Sequence, residues 1–151
     1  MVQKATIDDI PEILALQRAS FVPIAEILKN PDIQPMTQTM EELSKEFENG
    51  LILKYVHDEK IVGSVRGRID EEHIYHVGKL IVHPDFQNKG IGRSLILEIE
   101  KFFPTCTKFS LFIGAISPNT FHLYSGLGYK KIKRTSKDDV CMIVMEKTER
   151  P

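Results

Sequence analysis

The stretch His76 to Leu95, HVGKLIVHPDFQNKGIGRSL, limits what this chain can fold into more than any other. Val77 to Val82 is apolar on both faces apart from Lys79, the pattern of a strand buried on both sides. His83-Pro84-Asp85 ends it, because proline removes a ladder donor and restricts the residue before it. Gln87-Asn88-Lys89-Gly90-Ile91-Gly92 then sets two glycines one residue apart in a polar loop, and the following run keeps Ile91, Leu95, Ile99 and Phe102 on one helical face. The unit is strand, glycine loop, helix N-terminus. Without Cβ atoms at Gly90 and Gly92 the backbone N–H groups converge, and the helix start adds about half a positive charge, which together make a seat for phosphate.

The rest of the chain is read around that unit. Val2 to Thr6 is a strand, and Thr6-Ile7-Asp8-Asp9 caps a helix to about Ser20 whose buried stripe is Ile10, Ile13, Leu14, Leu16 and Gln17. Phe21 to Gln38 is apolar but carries Pro23, Pro31 and Pro35; the expectation is a short helix from about Ile24 to Lys29 and then an irregular connection, of the kind that often lines a site. Thr39-Met40-Glu41-Glu42 is a capping box, and its helix ends at Asn49-Gly50. Leu51 to His57 and Lys60 to Ile69 form a hairpin about Asp58-Glu59, and Asp70-Glu71-Glu72 leads into the central strand. Beyond Phe103-Pro104-Thr105, Lys108 to Gly114 is a further strand. Ser117-Pro118 opens a helix that carries Phe121 and Tyr124 and stops at Gly126-Leu127-Gly128. Tyr129 to Arg134 and Val140 to Glu146 are the last strands, across the polar turn Thr135 to Asp139. The order β-α-α-β-β-β-α-β-α-β-β predicts an α/β (α+β) fold: one mixed, mostly antiparallel sheet of about seven strands with about four helices on its faces.

A chain of 151 residues is most simply a single domain, 1–151, and buries about 70% of its unfolded surface without needing a metal or disulfide. A net charge of −1 and a pI near 6.5 argue against bulk attraction to nucleic acid or anionic membrane. The basic cluster Lys130, Lys131, Lys133 and Arg134 lacks the interleaved aromatics of a nucleic-acid surface. Cys106 and Cys141 have no C-x-x-C spacing and no histidines set around them, so they are read as reduced packing residues, with no metal expected. The start MVQKATIDD has no apolar run behind its lysine, and no stretch approaches 18 apolar residues. The expectation is a cytoplasmic protein with no membrane partner.

Gly-x-Gly alone is a weak signal. A dinucleotide fingerprint requires G-x-G-x-x-G straight after a strand, whereas here the third position is Leu95 and His83 to Lys89 intervene. A P-loop requires G-x-x-x-x-G-K-[ST], but Lys89 precedes Gly90 and no lysine–hydroxyl pair follows Gly92. The bland alternative is that the two glycines only let a loop turn into a helix.

The phrase from Leu80 to Leu95 resembles the acetyl-coenzyme A binding motif of the GNAT superfamily of N-acetyltransferases: an apolar strand, a proline two residues after it, then Q/R-x-x-G-x-G/A opening a helix. Gln87, Gly90 and Gly92 fill its defining positions, and Leu123-Tyr124-Ser125-Gly126-Leu127-Gly128-Tyr129 looks like the family's downstream L-Y-x-x-x-G-F/Y segment. The resemblance covers essentially the whole chain and implies acetyl-coenzyme A (acetyl-CoA) bound where the central strand splays from Lys108 to Gly114. Backbone from Leu80, Ile81 and Val82 would hold the pantetheine arm, and amides from Asn88, Lys89, Gly90, Ile91 and Gly92 the pyrophosphate, with local charge from Lys89 and Arg93. Tyr124 matches the position that commonly protonates the departing thiolate. Where many members have a cofactor-contacting asparagine this chain has Ser117, with Asn119 nearby but out of register.

A lysine-like amine has a pKa near 10.4, so neutralising it at pH 7 costs about 4.6 kcal/mol, and some group must take its proton. His76 has a suitable unperturbed pKa, with His73 and Glu26 as rivals; Lys79 is a poor base. The acceptor wall is expected from Glu26, Pro35, Thr37 and Gln38. The leading function is an acetyl-CoA dependent N-acetyltransferase acting on a primary amine of a small molecule or peptide, and a homodimer is one admissible assembly. The alternative is a catalytically weak acyl-coenzyme A sensor or regulatory module.

Overall fold

In the computed structural model, residues 1–102, 106–114, 118–137 and 140–148 are described. Seven strands and five α-helices follow in order among them: β1 (Val2–Lys4), α1 (Ile10–Leu28), α2 (Gln34–Thr37), α3 (Met40–Asn49), β2 (Leu51–His57), β3 (Lys60–Ile69), β4 (Tyr75–Val82), α4 (Ile91–Lys101), β5 (Lys108–Gly114), α5 (Pro118–Gly126), β6 (Lys130–Lys137) and β7 (Val140–Thr148). The sheet order is β1-β2-β3-β4-β5-β7-β6, and every neighbouring pair is antiparallel except β4 with β5.

Local chemistry explains most of the boundaries. At α3, Thr39 Oγ1 accepts from the Glu42 N–H at 3.1 Å and Glu42 Oε1 accepts from the Thr39 N–H at 2.9 Å, the reciprocal capping box read from the sequence. The β2–β3 hairpin closes through Asp58 and Glu59, both at positive φ, as a two-residue turn matching the strand twist requires. Asp70 Oδ1 accepts from the N–H groups of Glu72 and Ile74 at 2.9 and 3.0 Å, which turns the chain into β4 two residues earlier than the apolar pattern alone indicates.

One expectation is corrected. The first helix does not end near Ser20 but runs unbroken to Leu28, through Pro23, and the connection after it contains the additional turn α2. A mid-helix proline forfeits the hydrogen bond to the carbonyl four residues back. Here that carbonyl belongs to Ala19, and both Pro23 and Ala19 are exposed, so water can satisfy the freed oxygen.

Helices cover both faces of the sheet. On one face α1 and α3 bury Ile10, Ile13, Leu14, Leu16 and Leu43 against Ile52, Ile61 and Ile81. On the other, α4 and α5 bury Ile91, Leu95, Ile96, Ile99 and Tyr124 against residues such as Leu53, Val65, Val77, Phe109 and Met145. Each such side chain contributes about 1.5–3 kcal/mol by leaving water. Backbone approach is close at Gly50, where a Cβ would sit 2.5 Å from the Gly67 carbonyl oxygen; this presses the end of α3 against β3. Cys106 is buried as expected, whereas Cys141, paired with Ser136 near the start of β7, is exposed and does not have the packing role expected for it. Lys130, Lys131, Lys133 and Arg134 are exposed on β6, the edge strand, where charge discourages pairing with another chain. Among the described residues no helix is long and apolar enough to cross a membrane, and no cluster of ligating side chains could hold a metal.

Candidate functional site

The parallel ladder between β4 and β5 consists of two pairs, Tyr75 with Phe109 and His76 with Ser110, after which the strands part. A bulge in β4 adds to the separation: Ser64 pairs with Ile81 and Arg66 with Gly78, so Lys79 and Leu80 face one β3 residue, and Lys79 takes a positive φ of 43°. The His83 N–H donates to the Val62 carbonyl of β3 at 2.8 Å. Amide direction alternates along the regular part of a strand, so the Val82 N–H group, beyond the bulge, points the other way, into the gap left by β5. Unpaired strand amides in a gap need a partner, which an extended amide-bearing ligand supplies.

The gap opens into a cleft of about 550 Å³. Its walls are Val77, Gly78, Lys79 and Leu80 of β4, Phe112 to Gly114 of β5, Tyr124 and Thr120 of α5, Phe21, Ile24 and Leu28 of α1, Gln34 and Pro35 of α2, Glu46 of α3 and Arg68 of β3. Gly78 is informative because a Cβ built there meets nothing within 4 Å, so its missing side chain leaves open space rather than serving the protein's own packing.

At the far end of β4, Pro84–Phe86 forms a single 3₁₀ turn, and Gln87 Nε2 donates to the Val82 carbonyl at 3.3 Å, which ties the loop to the strand. Asn88 and Gly90 both have positive φ, 62° and 82°, and Gly90 is the N-cap of α4. That backbone turns successive N–H groups toward one point at a helix start, the arrangement suited to a pyrophosphate. Gly92 is tightly seated, since a Cβ there would lie 3.3 Å from Leu123 and 3.4 Å from Leu80. Lys89 Nζ rests 5.6 Å from the Phe86 ring centroid, and Arg93 is exposed on the first turn of α4. Ile91 and Ile81 turn their side chains into the two cores, so only their backbones are available to a ligand.

Tyr124 is 3% exposed, lines the cleft and packs edge-on against Tyr129 at 5.4 Å between centroids. Burial, and then the charge of Glu100, raises its pKa above the ordinary phenol value, so it holds its proton. His76 pairs across the sheet with Arg68 and is joined through Nε2 to Asp70 Oδ2 at 2.7 Å; its ring is not part of the cleft wall. The bond to His76, helped by the Ile74 and Glu72 amides, holds the Asp70 carboxyl down at about 2.

Most of the residues expected to form an acceptor wall do not line the cleft. Glu26 faces a separate depression of about 320 Å³ with Val22, Ala25 and Met36, because it sits two residues from Ile24 and Leu28 and therefore on the opposite side of α1. Thr37 is exposed outside the cleft. Gln38 is 3% exposed and belongs to a buried polar cluster, in which its amide donates to Glu46 and its oxygen accepts from Gln17 Nε2 at 3.0 Å and Arg66 Nη1 at 3.3 Å. Of that group only Pro35 lines the cleft. Ser117 lies outside the described residues, as does the side chain of Asn119.

Four cleft residues carry more than sequence reasoning assigned them: Gly78, Arg68, Glu46 and Gln34. Glycine inside an apolar strand was the available signal for the first. Glu46 is held from behind by Arg66, 3.3 Å from Nη1 to each carboxylate oxygen, and Arg66 in turn donates to Gln17. Lys79 donates to the Gln34 side-chain oxygen, pinning α2 over the bulge.

Residues 26–149 match the family model described as the acetyltransferase (GNAT) domain. Among curated proteins no sequence matches this one significantly. Solved structures share the whole fold at low identity. The PaiA N-acetyltransferase of Thermoplasma acidophilum, in complex with coenzyme A, is 20% identical over 98% of both chains with a TM-score of 0.79. The ribosomal-protein-alanine N-acetyltransferase of Brucella melitensis is 18% identical over 98% of this chain and 99% of its own, at 0.78. A GNAT-family acetyltransferase of Streptococcus pneumoniae is 20% identical over 99% of both, at 0.76.

Proposed function

This chain belongs to the GNAT family of acetyltransferases, and from that premise we propose that it moves the acetyl group of acetyl-CoA to the primary amine of a small molecule or peptide by direct attack of the amine. The observation that carries the reading is the β4–β5 gap: two ladder pairs, then a bulge, a side-chain-free floor at Gly78 and a buried tyrosine on the opposite wall.

Acetyl-CoA, when bound, supplies a thioester carbonyl as electrophile and a thiol as leaving group. The Leu80 and Val82 amides would hold the pantetheine arm, and the amides from Asn88 to Gly92 its pyrophosphate, with Lys89 and Arg93 adding charge. Gly78 leaves room for the acyl end beside the bulge. Tyr124 keeps a proton on its hydroxyl at the cleft wall, ready for charge that grows on sulfur.

His76 is the base of this proposal, acting through water at the Arg68 end of the cleft with Asp70 orienting its ring. Because Asp70 titrates at about 2, it stays ionised and keeps that orientation at every pH above about 4. His76→Gln is expected to lower kcat/KM by about 100-fold, with acetyl-CoA affinity retained. A variant as fast as the wild type would mean that the proton leaves directly to solvent.

The function itself is tested by titrating acetyl-CoA, followed by thermal shift or calorimetry, and then by assaying free thiol release with a panel of amines. Absence of any binding would defeat the reading entirely. Tight binding with no thiol release for any amine would leave a cofactor-binding module in place of an enzyme.

A further inference from the structure

Arg68 is the one cation on the cleft wall with no hydrogen bond or ion pair to any described residue. The neighbouring cations are engaged: Arg66 with Glu46, and Lys79 with Gln34. Glu46 is the single carboxylate lining the cleft among the described residues, and its hydrogen bonds go to Arg66 and Gln38 rather than to Arg68.

Position decides what Arg68 can serve. It pairs with His76, four residues before Leu80, the β4 residue against which Gly92 packs, and at about 3.3 Å per residue this puts it about 13 Å from the near end of the Gln87–Gly92 loop. A pyrophosphate held by that loop is out of its reach. Arg68 stands at the other pole of the cleft, beyond Gly78 and the bulge, where the acceptor must enter. The end of α3 borders it: a Cβ placed at Gly50 would touch both the Arg68 Cβ at 3.3 Å and the Glu46 carbonyl oxygen at 3.4 Å.

Resting on the acetyltransferase reading above, we infer that Arg68 is an acceptor-binding residue and that the acceptor is a primary amine bearing a carboxylate. A guanidinium fork matches a carboxylate bidentately, and an exposed, unpaired one beside a partly desolvated cleft gains most from such a partner. The same charge disfavours polyamines, whose further ammonium groups would approach Arg68 with like charge. The carboxylate can belong to a free amino acid or to an acidic residue next to a peptide's amino terminus.

The test is an acetylation assay on matched acceptors: phenylalanine against phenylethylamine, and a short peptide with glutamate against the same peptide with glutamine at its second position. The carboxylate-bearing member of at least one pair should show a kcat/KM at least tenfold higher, expressed in KM. The first pair identifies a free amino acid, the second a peptide. In Arg68→Gln the ratio within the pair should fall to about one while the KM for acetyl-CoA holds, and Arg68→Lys should recover part of it. Turnover with equal rates within both pairs, or a raised KM for acetyl-CoA in Arg68→Gln, overturns this inference and leaves the acetyltransferase reading standing. Acetyl-CoA binding without turnover of any amine overturns both.

Discussion

Gly78→Leu is expected to reduce kcat/KM by at least about 100-fold, with acetyl-CoA binding lost in parallel and folding unaffected. At the floor of the cleft a Cβ meets nothing within 4 Å, so the added side chain starts into open space rather than into packed protein atoms. Nor does Gly78 have the positive φ that would strain an L-residue. Stability should therefore change by no more than about 0.5 kcal/mol, as for substitutions away from packed positions. What the leucine fills is the space between β4 and β5 that an acyl arm would occupy, and a 100-fold loss corresponds to about 2.7 kcal/mol. Two other glycines of the same sheet give the contrast. At Gly67 a Cβ would lie 2.1 Å from the Tyr75 hydroxyl oxygen, and at Gly63 3.0 Å from Ile91, so there the same change strikes the core. The two measurements are a melting curve and a calorimetric titration with acetyl-CoA. A Gly78→Leu protein that still binds and turns over normally would mean that the gap is not the cofactor cleft.

Much of the fold was legible because its signals are local. Apolar runs, the Thr39–Glu42 box and the Gly90–Gly92 loop act within a few residues of themselves, and α3, α4 and the strands from β2 to β5 lie where those signals put them. The failures share a different cause. Pro23 is a local helix breaker that longer-range packing overrides, and once α1 is continuous its phase sends Ile24 and Leu28 into the cleft and Glu26 away from it. The bulge that lifts Lys79 rests on a positive φ at a lysine, a residue type with no preference for that conformation. Gln17, Gln38, Glu46 and Arg66 form one cluster from four parts of the chain; burial draws the pKa of Arg66 down and Glu46 opposes the shift. Only the three-dimensional register of α1, α3, β3 and the α2–α3 connection brings those four together, so that end of the cleft was hidden while the glycine loop was plain.

The cost of protonating a departing thiolate determines what Tyr124 can contribute. A thiol has a pKa near 8.5 and a phenol near 10, so full transfer from even an unperturbed tyrosine is uphill by about 2 kcal/mol, and the burial of Tyr124 makes it harder still. In the proposed reaction the hydroxyl would therefore serve as a fixed hydrogen-bond donor that yields its proton only as negative charge accumulates on sulfur, with solvent restoring it afterwards. Two results follow for Tyr124→Phe. Its kcat should fall by about 100-fold while the KM for acetyl-CoA stays nearly unchanged, because the ring and its edge contact with Tyr129 remain. The wild type should also show no alkaline decline in kcat from this group up to pH 10, since a raised pKa keeps the donating form populated past the ordinary phenol range; a decline setting in near pH 8.5 would assign the proton to a weaker-held group. Equal losses in kcat and cofactor affinity would instead make Tyr124 a packing residue under α5.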